Sequence, residues 1–260
     1  MSRTRALACA AAIAAFTGGC SSTDADDRTG GAQQAAGKAR PDRLPQGSEP
    51  VKLDPADFTT RIDNPYWPMR PGSRWVYSET DTEGSKEKVV VTVTGRTKLI
   101  ANGVEARIVS DVVTENGKPV EITDDWYAQD KDGNVWYLGE AVRNYENGKI
   151  VNRGGSFEAG VDGAQAGIAM PAKPVPGLAY RQEYYTGEAE DKGEVITVGR
   201  EQVEVPAGYF KRVLMTRDLA PTDPKTQELK FYARGVGPVL TLHTDGPGGR
   251  AALISYRRGR

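Results

Sequence analysis

The chain has 260 residues, 38% of them hydrophobic and 27% charged, with a formal net charge of -1 at pH 7. That balance offers no electrostatic footprint for a nucleic-acid partner. The two cysteines, Cys9 and Cys20, both lie near the start, so the body of the chain holds no pair from which a disulfide could be made.

Arg3 and Arg5 form a short basic region, followed by an apolar run from Ala6 to Phe16 that is too short to span a bilayer. Thr17-Gly18-Gly19-Cys20-Ser21-Ser22 then places small residues directly before a cysteine. This resembles the lipobox of bacterial lipoproteins, although Thr17 stands where that family has Leu, Val or Ile. The resemblance implies cleavage after residue 19, lipidation of Cys20 with acyl chains such as palmitate, and an exported domain held to the cell membrane by its first mature residue. Two acyl chains meet the requirement for stable anchoring. Loss of Arg3 and Arg5 leaves 32 basic against 35 acidic side chains. Residues 20–50 are rich in Ser, Thr, Asp, Gly, Gln, Ala and Pro, and read as a disordered tether.

Residues 51–260 read as a single β domain. Asp54-Pro55 has the N-cap and first-turn chemistry of a short helical turn. Asn64-Pro65-Tyr66-Trp67-Pro68-Met69-Arg70-Pro71-Gly72 is extended, and Tyr66 and Trp67 are expected to cap one end of a sheet. From Pro71 the apolar residues alternate: Trp75 with Tyr77, then Val89, Val91 and Val93, then Val104, Ala106, Ile108 and Val112. Glu83-Gly84, Asn102-Gly103 and Asn116-Gly117 punctuate them as turns. Asp124 to Glu140 is the strongest hairpin signal, with aromatic arms around Asp130-Lys131-Asp132-Gly133-Asn134. Residues 140–175 break the rhythm and read as a glycine-rich loop without the features of a phosphate loop.

The chain then echoes itself. Pro71-Gly72 returns as Pro176-Gly177, Val91-Thr92-Val93-Thr94-Gly95-Arg96 as Val195-Ile196-Thr197-Val198-Gly199-Arg200, and Trp126-Tyr127-Ala128 as Phe231-Tyr232-Ala233. Two β-meanders, about 71–140 and 176–257, predict one curved antiparallel sheet or half-barrel with few short helical turns.

Ile62-Asp63-Asn64-Pro65-Tyr66-Trp67-Pro68, Asp125-Trp126-Tyr127-Ala128-Gln129-Asp130 with Gly133-Asn134-Val135-Trp136-Tyr137, and Tyr232-Ala233 with Gly235-Val236-Gly237 resemble an uncharacterised family of secreted bacterial lipoproteins, a likeness covering most of 54–242. More distantly, the architecture looks like that of LolA-like envelope lipoproteins, which carry lipids. The family brings no known activity; the tether, the repeated meander and the absence of catalytic combinations predict a non-catalytic, membrane-anchored envelope protein that binds an apolar ligand or a partner on a curved sheet. Trp67, Trp126, Trp136 and Tyr137 are the candidate ligand-binding residues.

Other chemistries are thinly supplied. His243 is the only histidine, no Gly-x-Ser-x-Gly elbow accompanies it, and it reads as a strand-surface residue. Asp130, Asp132 and Asn134 have the oxygen density of a calcium loop, but Glu140 comes too early to close a twelve-residue one, so no metal or other cofactor is expected. Glu158 and Asp162 in the odd loop are the carboxylates from which a carbohydrate-active enzyme would have to be built. An envelope assembly or scaffold protein pairing through sheet edges is the third reading.

Overall fold

Alternating β-branched and aromatic residues give long antiparallel strands, and glycine or asparagine at positive φ turns described hairpins such as Asn116-Gly117, Gly133 and Asn147-Gly148. The computed structural model describes residues 44–81, 86–221, 227–244 and 249–260. One 3-10 turn, Pro55–Asp57, is capped by Asp54, whose carboxylate accepts from the Ala56 N–H at 3.0 Å. The strands in chain order are β1 (Phe58–Thr59), β2 (Arg74–Asp81), β3 (Lys86–Leu99), β4 (Glu105–Glu115), β5 (Lys118–Asp130), β6 (Val135–Glu146), β7 (Lys149–Asn152) and β8 (Phe157–Glu158). There follow β9 (Gln165–Met170), β10 (Ala179–Arg181), β11 (Glu183–Tyr184), β12 (Lys192–Val205), β13 (Gly208–Leu219), β14 (Gln227–Ala233), β15 (Gly237–His243) and β16 (Gly249–Arg257).

All belong to one sheet, in the order β10-β12-β13-β14-β15-β16-β2-β3-β4-β5-β6-β9-β11, with β1 on β5 and with β7 and β8 on β6. The expected curved antiparallel sheet is therefore present. It curls until its two end strands, β10 and β11, are successive pieces of the same chain, separated only by Gln182. The sheet is nearly closed into a barrel. At this seam the Gly167 Cα faces the Gln182 carbonyl so closely that a Cβ there would lie 2.2 Å from the oxygen.

Two boundaries differ from expectation. Residues 44–50, expected within the tether, lie against the barrel: the Arg181 guanidinium donates to the carbonyls of Gly47 and, at 2.8 Å, Glu49, and the Arg181 N–H donates to Pro45 O at 2.6 Å. Arg181 is 1% exposed, so these carbonyls stand in for the water it has lost. The expected loop 140–175 carries the end of β6, the β7 hairpin, β8 and a full stave, β9. Its short Gln-Ala-Gly-Ile-Ala-Met run is buried from Ala166 to Met170, so it shows no polar-apolar alternation to betray a strand.

β3 and β12 have 14 residues each. The Gly72 N–H donates to Val93 O and the Gly177 N–H to Val195 O, both at 2.8 Å.

The ends of the barrel differ. Segment 60–72 crosses one end, where the Asn64 amide donates to Gly133 O and Pro171 O and the Gly235 N–H donates to Pro65 O. Trp67 packs between Tyr127 and Tyr232, with ring centroids 5.6 and 5.8 Å away. Trp75 Nε1 donates to Val236 O at 2.8 Å, and the Tyr77 hydroxyl to Pro238 O at 2.9 Å. This is the aromatic cap expected of the proline-rich segment. Toward the other end, where β4 meets β5 through Asn116-Gly117, the interior changes character.

Candidate functional site in the barrel interior

The site is built by strand alternation. On β5, Glu121, Thr123, Asp125, Tyr127 and Gln129 are all buried on one face. Register then places partners beside them: Glu140 opposite Asp125, Tyr137 opposite Tyr127, and Asp111 of β4 opposite Thr123. Glu79 on β2, Asp218 on β13, and Glu228 and Lys230 on β14 continue this lining, and Glu183 and Asp191 close it at the seam. The row of polar residues that usually marks a solvated face is turned inward.

Part of this lining is a chain of ion pairs. Lys230 Nζ lies 2.8 Å from Asp218 Oδ2 and 3.0 Å from Glu228 Oε2. Glu228 Oε1 lies 3.0 Å from His243 Nδ1, and His243 Nε2 lies 3.5 Å from Glu79 Oε1. Asp218 also accepts from Gln182 Nε2 at 3.0 Å and from the Thr216 hydroxyl at 3.1 Å. Burial opposes every charge here, yet Lys230 and His243 hold Glu228 down to about 2, and acceptance of the His243 N–H groups by Glu228 and Glu79 raises His243 to about 9. The Lys230 ammonium, against burial, is held well above its ordinary value by Asp218 and Glu228. His243 is thus an interior cation, where the sequence suggested a surface residue; its side chain is 7% exposed. A histidine at the end of a strand looks the same from the sequence whichever way it points.

The rest of the lining is carboxyl groups with few partners. Glu140 and Glu183 are each 1% exposed, and among the described residues their carboxyl oxygens make no hydrogen bond of ordinary geometry, with the Tyr137 hydroxyl beside Glu140 and the Asp191 carboxyl beside Glu183. Burial, then Asp125 and Glu183, raises Glu140 well above the carboxylate range. Burial and then Asp191 do the same to Glu183, and burial with Asp125, Glu121 and Glu79 does so to Asp111. Asp125 and Asp191 are each raised to about 7, first by burial. Asp125 accepts from the Tyr137 hydroxyl at 2.8 Å, and the Tyr127 and Tyr137 rings lie 5.0 Å apart beside it. Burial and the nearness of other carboxyl groups favour the protonated forms of Asp111, Glu140 and Glu183. A cation placed among them would ionise them and be held by carboxylates and tyrosine faces together.

The residues singled out from the sequence are not brought together. Tyr137 faces the interior, in the tyrosine layer. Trp67 is in the aromatic cap. Trp126 and Trp136 lie on the outer side of the sheet: Lys98 sits 4.6 Å above the Trp126 ring, and Trp136 packs edge-on against Phe58 and donates to Asp130 Oδ2 at 2.7 Å. The oxygens of Asp130 are occupied by the turn itself: Oδ1 accepts from the Asp132 and Asn134 N–H groups, and Oδ2 from Asn134 Nδ2 and Trp136. Among the described residues, no three His, Cys, Asp or Glu side chains converge as metal ligands. Glu158 is held by Lys98 at 3.1 Å and by the Ala101 N–H at 2.8 Å, and Asp162 is exposed. Cys20 lies outside the described residues.

No protein-family model matches the sequence, and no curated protein does. Among solved structures the chain is similar to a candidate lipoprotein of Parabacteroides distasonis, at 15% identity over 74% of this chain and 98% of that one, with a TM-score of 0.42. It is also similar to a candidate exported protein of Bacteroides fragilis with a YmcC-like fold, at 14% identity over 74% and 99%, TM-score 0.41. A third is a β-barrel-like protein of unknown function from Brucella abortus, at 13% identity over 72% and 98%, TM-score 0.39. Overlaps at this level assign neither family nor ligand.

Proposed function

We propose that this chain is an exported envelope lipoprotein, anchored to the membrane through Cys20, that works by binding and not by catalysis. Its ligand is an organic amine held in the carboxyl-lined half of the barrel. The observation that carries this reading is the pair Glu140 and Glu183, buried to 1% exposure with no hydrogen bond of ordinary geometry to their oxygens among the described residues, beside Asp125 and the Tyr127–Tyr137 rings. Leaving such groups unmatched costs on the order of 1–3 kcal/mol each, which a cationic ligand would recover. The apolar ligand suggested by the sequence would have to lie against these ionisable groups, so the lining favours a cation. An amine suits the site better than a metal ion, because it needs only one or two carboxylates and an aromatic face. Hydrolysis through Glu158 and Asp162 is disfavoured by the Lys98 pair, and edge-to-edge scaffolding by the near closure of the sheet.

The test is calorimetric titration of the full protein in detergent with spermidine at pH 7.5, in two buffers of different ionisation enthalpy. The expected result is saturable binding with proton release, abolished by Glu140→Gln combined with Glu183→Gln. Absence of binding, or binding untouched by the double substitution, rejects the amine reading. Mass spectrometry of protein extracted from the envelope checks the anchor: an unmodified Cys20 rejects it.

A further inference from the structure

Beneath the aromatic cap, on the outside of the barrel's capped end, lies a second feature that the amine reading does not use. A cleft of about 330 Å³ opens between the segment 60–63, the turn 69–71, β4 and the C-terminal end of the chain. Arg61, Arg70, Arg107 and Arg260 line it, with Asp63 as the single acid. The four come from separate parts of the sequence and are brought together by the fold. Gly259 anchors the last of them: its N–H donates to Ser73 Oγ at 2.9 Å, and its Cα is packed so tightly on the 70–73 turn that a Cβ would lie 2.1 Å from Pro71 O.

Arg107 gives the cleft its charge. It is 9% exposed, and its guanidinium donates to Thr60 O at 3.4 Å, Gly95 O at 3.1 Å, Arg96 O at 3.3 Å and the Thr60 hydroxyl at 3.2 Å. Every one of those acceptors is neutral. They fix the plane of the guanidinium and satisfy most of its hydrogens, but they cancel none of its charge. Buried cations are ordinarily paired with a carboxylate. Asp63 does not supply one: its Oδ2 faces Arg61 at 3.4 Å and its Oδ1 accepts from Gln129 at 2.8 Å. Arg61, Arg70 and Arg260 then add three exposed guanidinium groups at the rim.

We infer that this cleft is an anion site that takes a phosphate group. Guanidinium forks match the paired oxygens of phosphate: Arg107 supplies a fixed, buried charge, and the exposed arginines around it supply the donors that charge-assisted, bidentate recognition uses. The same chemistry would be supplied by a soluble phosphate ester or by the headgroup of an anionic phospholipid, and the tether at Cys20 keeps this domain close to the second. Only that membrane source rests on the anchor proposed above; phosphate binding itself does not.

The test uses the full chain carrying Cys20→Ser, so that no acyl chain contributes, and compares it with the same chain carrying Arg61→Ala and Arg70→Ala. Both arginines are exposed, so their loss leaves the fold intact. One arm titrates inorganic phosphate, read by calorimetry at low ionic strength. The other floats the protein with phosphatidylcholine vesicles, with and without one-fifth phosphatidylglycerol. The expected result is saturable one-to-one phosphate binding, weakened at least tenfold in the double variant and by added salt. Co-flotation confined to the anionic vesicles and lost in the variant identifies a lipid headgroup. Phosphate binding without co-flotation identifies a soluble phosphate ester. Failure of phosphate to bind, or binding that the double variant retains in full, overturns the site.

Discussion

At one end of the barrel Trp67, Trp75, Tyr77 and Tyr232 bury their rings, and Trp75 and Tyr77 donate to the backbone carbonyls Val236 O and Pro238 O. At the other, Asp218, Lys230, Glu228 and His243 bury charges that meet chiefly one another. The aromatic end gains from removing apolar surface from water, a contribution indifferent to pH. The carboxyl end carries a desolvation cost that its ion chain offsets only while every link is present. One end is a lid for the fold, and the other holds ionisation states in suspension. Substitutions at the two ends should therefore differ in kind as well as in size.

The largest effect is expected at the centre of the ion chain. Lys230→Met removes the cation between Asp218 and Glu228 and strands two buried carboxylates, at a cost of about 3–5 kcal/mol. Denaturant unfolding at pH 8 measures it, and the loss should shrink at pH 5, where the stranded carboxyls can protonate. Met69→Ala, in the wall of the capped end at 1% exposure, should cost about 2–5 kcal/mol by leaving a cavity, and cost the same at both pH values. If the two variants showed the same pH response, the contrast between the ends would be wrong.

At the seam the strain is steric. Gly167→Ala places a methyl group 2.2 Å from Gln182 O, a backbone atom that cannot swing aside. A loss of about 1–3 kcal/mol is expected, with faster hydrogen exchange confined to β9 to β11.

The pH response of the unmodified protein follows from the interior groups. Asp125 and Asp191 are raised to about 7, so their contribution is present below the ordinary carboxylate value and is lost as pH rises to 7. His243, raised to about 9, contributes below 6.5 and is lost between there and 9. Glu228, held at about 2, acts the other way, contributing above its ordinary 4.5 and losing this as pH falls to 2. The balance predicts a melting temperature that is highest near pH 5 and declines through pH 9. Asp125→Asn keeps an oxygen for the Tyr137 hydroxyl but removes the ionisation. It should raise the melting temperature at pH 8.5 by a few degrees, the shift expected of about 1 kcal/mol in a domain this size, by less at pH 5, and not at all below pH 3.8.

How much of this was legible beforehand depends on which face of a strand carried the signal. The alternating valines of β3 and the Asn-Gly turns are local and marked the meander. The Asp54 cap and the Pro65–Gly72 cap were also readable, because proline and N-cap chemistry act within a few residues. The carboxyl-lined interior was not. Glu121, Thr123, Asp125 and Gln129 spell the polar half of an alternating strand, which in an open sheet faces water. Only near closure of the sheet decides that this half points inward, and closure depends on β9, whose buried run hides its period. The same ambiguity sent attention to Trp126 and Trp136, which lie on the outer side, and away from His243. The arginine cleft was equally invisible, since its members are joined by no spacing.

The smallest effect separates the acidic turn from the acidic interior. Asp130 resembles a ligand in the sequence, but its two oxygens accept from four donors of its own hairpin, including the Trp136 indole. This is an Asx-type cap on the β5–β6 turn, half open to solvent, so water replaces part of what a truncation removes. Asp130→Ala should therefore cost only about 0.5–2 kcal/mol, and equally at pH 5 and pH 8. Excess calcium should leave the melting temperature of the unmodified protein where it is, because an ion would have to displace donors already in place. A calcium-dependent rise that disappears in Asp130→Ala would instead make the turn a metal site, and the division between a structural carboxylate here and ligand-seeking ones inside the barrel would have to be redrawn.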